Sequence, residues 1–385
     1  MNNIQQLIQQ LCPNGVEYKR LGEVCERLRG TSITAKKMKE IASPNGEIKI
    51  FAGGKTIINA QEEDIPNANI TRVPAVLVQS RGVIDVVFYD KPFTFKNEMW
   101  AYAANNSDAC IVKFLYYVLK TTIPSLRKIA SIRGSLPQIS LRDTDNLLIP
   151  LPPLPVQRAV AAVLDRFTQL ETQLETELET ELQCRKKQYE YYRDSLLNFD
   201  NDNVQWVKLG ECLGYEQPGK YIVSSKDYVD KGTPVLTAGQ TFILGYTDEK
   251  DGIYKASKDN PVIIFDDFTT SFHWVTFDFK VKSSAMKMLK PKDNGLELNF
   301  RYLYYAMKCI MYEATEHSRQ WISKYSMFEI PLPSLSVQRR IVGILDRFEA
   351  LTTSISEGLP AEIEARRRQY EYYRDRLLTF KRKEQ

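Results

Sequence analysis

Histidine is almost missing from this chain of 385 residues. Only His273 and His317 occur, which excludes a multi-histidine metal centre. The six cysteines (Cys12, Cys25, Cys110, Cys184, Cys212, Cys309) contain no C-x-x-C pair. Neither a zinc cluster nor a disulfide framework is expected, and a reducing compartment is the simplest home. Long apolar runs are missing too: none exceeds the six residues of Ala159–Leu164, far short of the ~20 needed to span a bilayer. The opening Met-Asn-Asn-Ile-Gln-Gln has no basic region, which argues against a secretory signal, so a soluble, cytoplasmic protein is expected. An excess of one charge sign is also lacking. Lys and Arg total 52 against 48 Asp and Glu, a net charge of +4, which excludes a histone-like binder but leaves room for local basic patches. Catalytic motifs are absent: no G-x-S-x-G elbow and no H-E-x-x-H helix. Phe51-Ala-Gly-Gly-Lys-Thr56 hints at a phosphate loop, but Lys49 stands where its first glycine belongs, so a turn beside a strand is the better reading. Asp266-Asp267 is read as a loop cap before a metal site.

What is present is a long internal repeat. Residues 149–199 (IPLPPLPVQRAVAAVLDRF…QYEYYRDSLLNF) align without gaps with 330–380 (IPLPSLSVQRRIVGILDRF…QYEYYRDRLLTF), 27 of 51 positions being identical. Weaker echoes lie 188 residues apart. Val16–Glu23 resembles Val204–Glu211, Lys113–Tyr117 resembles Arg301–Tyr305, and Ile8 and Leu11 match Leu196 and Phe199. Between these anchors the halves diverge. The reading is a helical stub (1–14), a variable domain (15–148), a central helix (149–199), a second variable domain (200–329) and a C-terminal helix (330–385), with the stub packing near the chain's own end.

The repeats are built as helices. Prolines 150, 152, 153 and 155 fix an extended lead-in. Val156, Val160, Val163, Phe167, Leu170 and Leu174 then step by four and three, a heptad seam. Val337, Ile341, Ile344, Phe348 and Leu351 repeat it. Two such seams bury best against each other, as an antiparallel pair. Gly358-Leu359-Pro360 predicts a break in the second helix. In the variable domains, Ala75–Tyr89 and Val262–Trp274 each read as two strands around a polar loop. Short helices are expected near Phe114–Leu119 and Tyr302–Met307. The fold class is α+β: two mixed α/β domains separated by long paired antiparallel coiled-coil helices, with an internal pseudo-two-fold duplication. Residues 1–154 carry 19 basic against 14 acidic residues, and residues 200–335 carry 16 against 18. Only the first is basic, although Lys280, Lys282, Lys287, Lys290 and Lys292 cluster in the second.

A duplicated chain without a catalytic set reads as a recognition scaffold. Its I-P-L-P lead-ins with Gln157 and Gln338, its Leu-Asp-Arg-Phe steps (164–167, 345–348) and its two QYEYYRD segments resemble the specificity subunit of type I restriction-modification systems. The Leu-Gly-Glu domain openings (21–23, 209–211) and Ser80-Arg81-Gly82 fit the same family. The resemblance implies a non-catalytic DNA-binding subunit. Each variable region is then a target recognition domain reading half of a bipartite double-stranded DNA target. The helices set the spacer and dock two methyltransferase subunits that carry S-adenosylmethionine, and restriction subunits can join. No cofactor and no metal are expected on this chain itself.

Arg, Lys and small polar residues on loops beside strands suit base edges and phosphates. The candidates for DNA are Lys55, Gln79, Ser80, Arg81, Arg133, Ser135 and Gln138, then Thr269, Thr270, Ser271, His273, Lys282, Arg319 and Gln320. Those for partner docking are Gln157, Asp165, Arg166, Tyr189 and Tyr192, with Gln338, Asp346, Arg347, Tyr370 and Tyr373 in the second copy. A structural adaptor whose variable domains bind proteins is the alternative from another class, supported by the acidic second domain.

Overall fold

The computed structural model describes residues 2–54, 56–133, 136–199, 204–239, 241–314, 318–353 and 358–383. Lys55, Ser135 and His317 lie outside them, and Arg133 is described in its backbone alone. The chain divides into two compact units: residues 1–177 with 363–385, and residues 178–362. The division falls within the long helices.

In the first unit, β1 (Glu17–Arg20) pairs antiparallel with β11 (Leu148–Leu151), Glu17 opposite Leu151. The opening of the domain is thereby stitched to the Pro-rich lead-in. Between them lie two sheets. The four-stranded one has the order β2 (Cys25–Leu28), β8 (Trp100–Ala104), β5 (Ala75–Gln79), β6 (Asp85–Tyr89). The three-stranded one runs β4 (Ile57–Ala60), β3 (Ile48–Phe51), β7 (Phe93–Phe95). A hairpin, β9 (Ser131–Arg133) with β10 (Leu136–Gln138), follows. The apolar run Ala75–Val78 is buried on both faces because strand side chains alternate. Val76 and Val78 pack with Phe114 and Leu115 of the helix Val112–Ile129, while Ala75 and Leu77 pack on Phe93 and Phe95 of the second sheet. That helix is longer than the sequence suggested and carries Pro124 within it.

The second unit repeats this topology in a divergent sequence. Here β12 (Gln205–Lys208) pairs with β20 (Glu329–Leu332). The four-stranded sheet is β13 (Leu213–Glu216), β19 (Met286–Pro291), β16 (Val262–Asp266), β17 (Phe272–Val275). The three-stranded sheet is β15 (Ile243–Thr247), β14 (Thr233–Leu236), β18 (Lys280–Val281). Ile263 and Phe265 face Tyr302 and Leu303 of the helix Phe300–Lys308, and Val262 and Ile264 face Leu236 and Val281.

The central helix runs unbroken from Leu154 to Leu196. In the first unit its Phe167 and Thr168 meet Tyr373 and Tyr370 of the helix Leu359–Leu378, and Glu175 pairs with Arg367. Rising numbers meet falling ones, so the packing is antiparallel. In the second unit Tyr192 stacks on Phe348 of the helix Leu335–Thr353. The seam is shallower than heptads imply: beyond Leu164 no residue of the central helix is buried within it, and Leu170 is 56% exposed. Gly358 stands between the two C-terminal helices, and Pro360 falls in the first turn of the second, where its missing N–H costs nothing.

The helix Asn2–Leu11 packs Ile4, Leu7 and Ile8 into the core that holds Leu377, Leu378 and Phe380. Val16 bridges to Arg382, and the Tyr18 hydroxyl donates to the Phe380 carbonyl at 3.0 Å. Leu11 is exposed, so it does not take the role of buried Phe199; Phe380 itself does in this unit.

Candidate nucleic-acid interface

Each domain is held to its helix by the same three-bond clamp. Gln157 is fully buried. Its Oε1 accepts the Ile111 N–H at 2.8 Å, and its Nε2 donates to the carbonyls of Ala109 and Pro152 at 2.9 and 2.8 Å. Gln338, also fully buried, accepts from Asn299 at 2.8 Å and donates to Glu297 and Pro333 at 3.0 and 2.8 Å. About two turns on, Asp165 takes the Tyr117 hydroxyl at 2.6 Å and Lys113 at 3.1 Å. Asp346 takes the Tyr305 hydroxyl at 2.5 Å and Arg301 at 2.8 Å. The Lys113–Tyr117 and Arg301–Tyr305 echoes therefore meet the Leu-Asp-Arg-Phe steps in space. Burial and these acidic partners push the Tyr117 and Tyr305 hydroxyls well above the ordinary tyrosine range.

These facts correct the docking candidates. Gln157 and Gln338 spend every amide bond inside the chain and offer nothing to a partner. Tyr189 has its hydroxyl buried, and Tyr370 and Tyr373 turn onto Thr168 and Phe167. Asp165 and Asp346 are half-buried anchors. Arg166 and Arg347 are exposed, and Tyr192 is 38% exposed. Tyr191 and Tyr372, outside the sequence candidates, are 69% and 60% exposed, each edge-on to its neighbour Tyr192 or Tyr373. Heptad phase contained the signal: positions 189 and 192 lie on the seam and 191 lies off it.

Loops gather at one end of each domain. In the first, Gln79 donates to the Gly54 carbonyl at 3.0 Å, tying the Gly-Gly turn to the tip of β5. The Ile139 N–H donates to Ser80 O at 3.0 Å and the Gly82 N–H to Pro137 O at 2.9 Å, and Arg81 bridges Gln138. The β9–β10 hairpin therefore lies alongside the Ser-Arg-Gly loop. Arg81 is exposed and Gln138 half-exposed. Ser80 is not: it is 1% exposed and donates to Glu98 O at 2.7 Å, so it shapes the loop from beneath.

The second domain makes the same junction. The Gln320 N–H donates to Asp267 O at 2.8 Å, at the repeat-equivalent place to Ile139 and Ser80. Thr269 and Ser271 ride the loop between β16 and β17, their hydroxyls 3.2 Å apart. Gln320 and Thr270 are buried, and Gln320 is satisfied by the Tyr312 hydroxyl and Ser318, so neither reads a ligand directly. His273 packs at a tilt against Phe242, ring centroids 4.6 Å apart, and bonds the Gly239 carbonyl at 3.0 Å, fastening the neighbouring turn. The lysine cluster is mostly spent: Lys280 on Glu249, Lys287 on Asp267, Lys290 on Asn260 and Lys292 on the Gly210 carbonyl. Lys282 is exposed. Asp266 caps the Phe268 and Thr269 N–H groups, and the described residues contain no cluster suited to a metal. No described helix is long and apolar enough to cross a membrane.

Comparison with known proteins gives this architecture its context. The family model for the type I restriction modification DNA specificity domain matches twice, over residues 13–183 and 201–365. The EcoR124I/EcoR124II specificity subunit of Escherichia coli is 54% identical over 200 residues, 49% of this chain and 48% of that one. The alignment thus spans about half the length of that relative. A putative type I restriction enzyme specificity subunit of Haemophilus influenzae is 33% identical over 314 residues, covering 74% of this chain and 77% of its own. Among solved structures, a chain from a type I R-M system studied for complex assembly and conformational transition superposes with a TM-score of 0.61 at 16% identity, over 95% of this chain and 98% of that one. The HsdS subunit from Thermoanaerobacter tengcongensis gives a TM-score of 0.50 at 17% identity, over 96% and 97%. Two matched domains covering most of the sequence, in the fold those structures share, establish that the chain belongs to the type I restriction-modification DNA specificity family.

Proposed function

We propose that each domain reads one half of a bipartite DNA target through the loop junction at its end. In the first domain the reading edge is Gln79, Arg81 and Gln138, with Arg133 at the end of β9; Lys55 and Ser135, outside the described residues, stay candidates from the sequence. In the second it is Thr269, Ser271, Lys282 and Arg319. The helices fix the unread spacer and present Arg166, Tyr191 and Tyr192, with Arg347 and Tyr372 in the second copy, to two methyltransferase subunits. S-adenosylmethionine and adenine methylation belong to those partners, and ATP-driven cleavage to restriction subunits. This chain supplies address, not chemistry. The observation that carries the reading is the duplication itself: identical clamps at Gln157 and Gln338 hold two domains of one topology whose end loops differ.

The test is single-molecule methylation sequencing of DNA from cells expressing this chain with and without its methyltransferase. A bipartite adenine motif that needs both proteins is expected, and replacing residues 15–148 should change one half-motif only. An active methyltransferase that co-purifies yet writes no motif would sink the reading and favour the protein-binding adaptor.

A further inference from the structure

In the second domain, a buried ion pair stands directly beneath one exposed arginine. Asp267 and Lys287 are each 1% exposed, and their charged groups lie 3.1 Å apart. Burying such a pair in a small domain is costly unless its remaining bonds are satisfied. On the carboxylate side they are: the Trp321 N–H donates to Asp267 Oδ1 at 2.8 Å, and Arg319 Nη1 donates to Oδ2 at 3.4 Å, while the Lys287 ammonium lies over the Tyr215 ring at 4.4 Å. Arg319 remains 47% exposed, with its guanidinium over the Phe268 ring at 5.9 Å. Lys287 already answers the Asp267 charge at the shorter distance. The Arg319 guanidinium is therefore steered without being consumed: its Nη1 is engaged by Asp267 while the side chain stays about half exposed.

The loop that carries Asp267 is itself strained. Thr270 has φ +59°, one of two non-glycine residues with positive φ among those described. A β-branched residue there is a steric outlier, and such strain persists where the surroundings impose it. Asp266 imposes it from within, by capping the Phe268 and Thr269 N–H groups. Gln320 imposes it from the facing segment, through its backbone bond to Asp267. The result is a rigid platform holding one arginine at the end of an otherwise acidic domain.

We propose that Arg319 is a specificity-determining residue that reads a guanine in the second half-site, and that Asp267 with Lys287 is its positioning pair. A guanidinium fork matches guanine O6 and N7 in the major groove, and a preorganised side chain loses less entropy on making that bidentate contact. The inference rests on the DNA-reading function proposed above and deepens it to one residue and one base.

The test is the same methylation sequencing, performed on the full chain with its methyltransferase. Arg319→Ala should turn one guanine-specific position in the half-motif read by residues 204–329 degenerate, with roughly ten- to hundred-fold lower discrimination there. The other half-motif should stay intact. Arg319→Lys should not restore stringency, because an ammonium lacks the fork. Asp267→Asn alone strands a buried Lys287 and risks misfolding, so the paired variant Asp267→Asn/Lys287→Met is the informative one. It should melt near the wild-type temperature and relax the same position. An Arg319→Ala motif as stringent as wild type at every position overturns the inference while leaving the DNA-reading function standing. A wild-type complex that writes no bipartite motif overturns that function, and the inference with it.

Discussion

The residues that matter most to the architecture are two glutamines that look like surface residues in the sequence. A polar residue after valine at the start of an amphipathic helix reads as solvent-facing. Only contacts 46 and 39 positions away in the chain reveal Gln157 and Gln338 as internal clamps. Gln157→Ala leaves the Ile111 N–H and two carbonyls in a buried site without partners, and each such group costs about 1–3 kcal/mol. The expected loss is at least about 3 kcal/mol of stability in the unit that contains it, seen as a lower transition temperature by calorimetry. Gln157→Glu should be worse, since it removes the donor and buries a charge. Glu349 adds a pH dependence found in one copy only. Burial alone would raise its carboxyl, but Lys308 and Arg301 outweigh that and hold it below the ordinary glutamate range. A depressed folded pKa gives stability that is present above the unfolded value of about 4.3 and lost as the pH falls through the folded one. The second unit should therefore weaken below pH ~4. Glu349→Gln should be less stable at pH 7 but flatten that acid limb in melts from pH 7 to 3. Thr168 occupies the corresponding place in the first unit, bonded to the Tyr370 hydroxyl at 2.9 Å, with no charge to lose.

At the scale of elements, the helices and the central strands were legible because their signals are local. Heptad steps mark Leu154–Leu196, and β-branched runs around a polar loop mark the β5–β6 and β16–β17 hairpins. The shared sheet order was not legible, because alternation in the strands survives while the residues themselves diverge. The C-terminal break shows what a local signal leaves out. Pro360 looks responsible, yet it sits in a first turn where proline is tolerated. Gly358 is the constrained residue: a Cβ there would lie 2.6 Å from the Leu351 carbonyl oxygen and 2.7 Å from that of Ala350. Backbone atoms cannot swing aside as a side-chain tip can. Gly358→Ala should therefore cost about 1–3 kcal/mol, as overpacking does, while Pro360→Ala should stay within about 0.5 kcal/mol of wild type, as substitutions away from strained or buried features do. Denaturant midpoints of the two variants decide it, and equal losses would show that the proline carries the break after all.

For the molecule as a whole, duplication is the property from which function follows. The most exposed tyrosine in each copy of the repeat is Tyr191 or Tyr372, edge-on to Tyr192 or Tyr373 at 5.6 or 5.4 Å. A large aromatic exposed to 60% or more is a good anchor for a protein interface, where tyrosine and arginine concentrate binding energy. Because the same tyrosine occurs twice in the same local setting, one kind of partner should bind twice. Under the docking of two methyltransferase subunits proposed above, Tyr191→Ala and Tyr372→Ala should each remove one of them, dropping the stoichiometry from two per chain to one. The double variant should remove both. Neither substitution should shift thermal unfolding by more than a degree or two, since neither ring is buried. Native mass spectrometry of the co-expressed complex gives the count directly. If both single variants still bind two subunits, the docking face lies elsewhere on the helices, and Arg166 and Arg347 become the residues to change next. If one variant loses both subunits, the two sites are coupled through the partners, and the duplicated repeat acts as one cooperative surface.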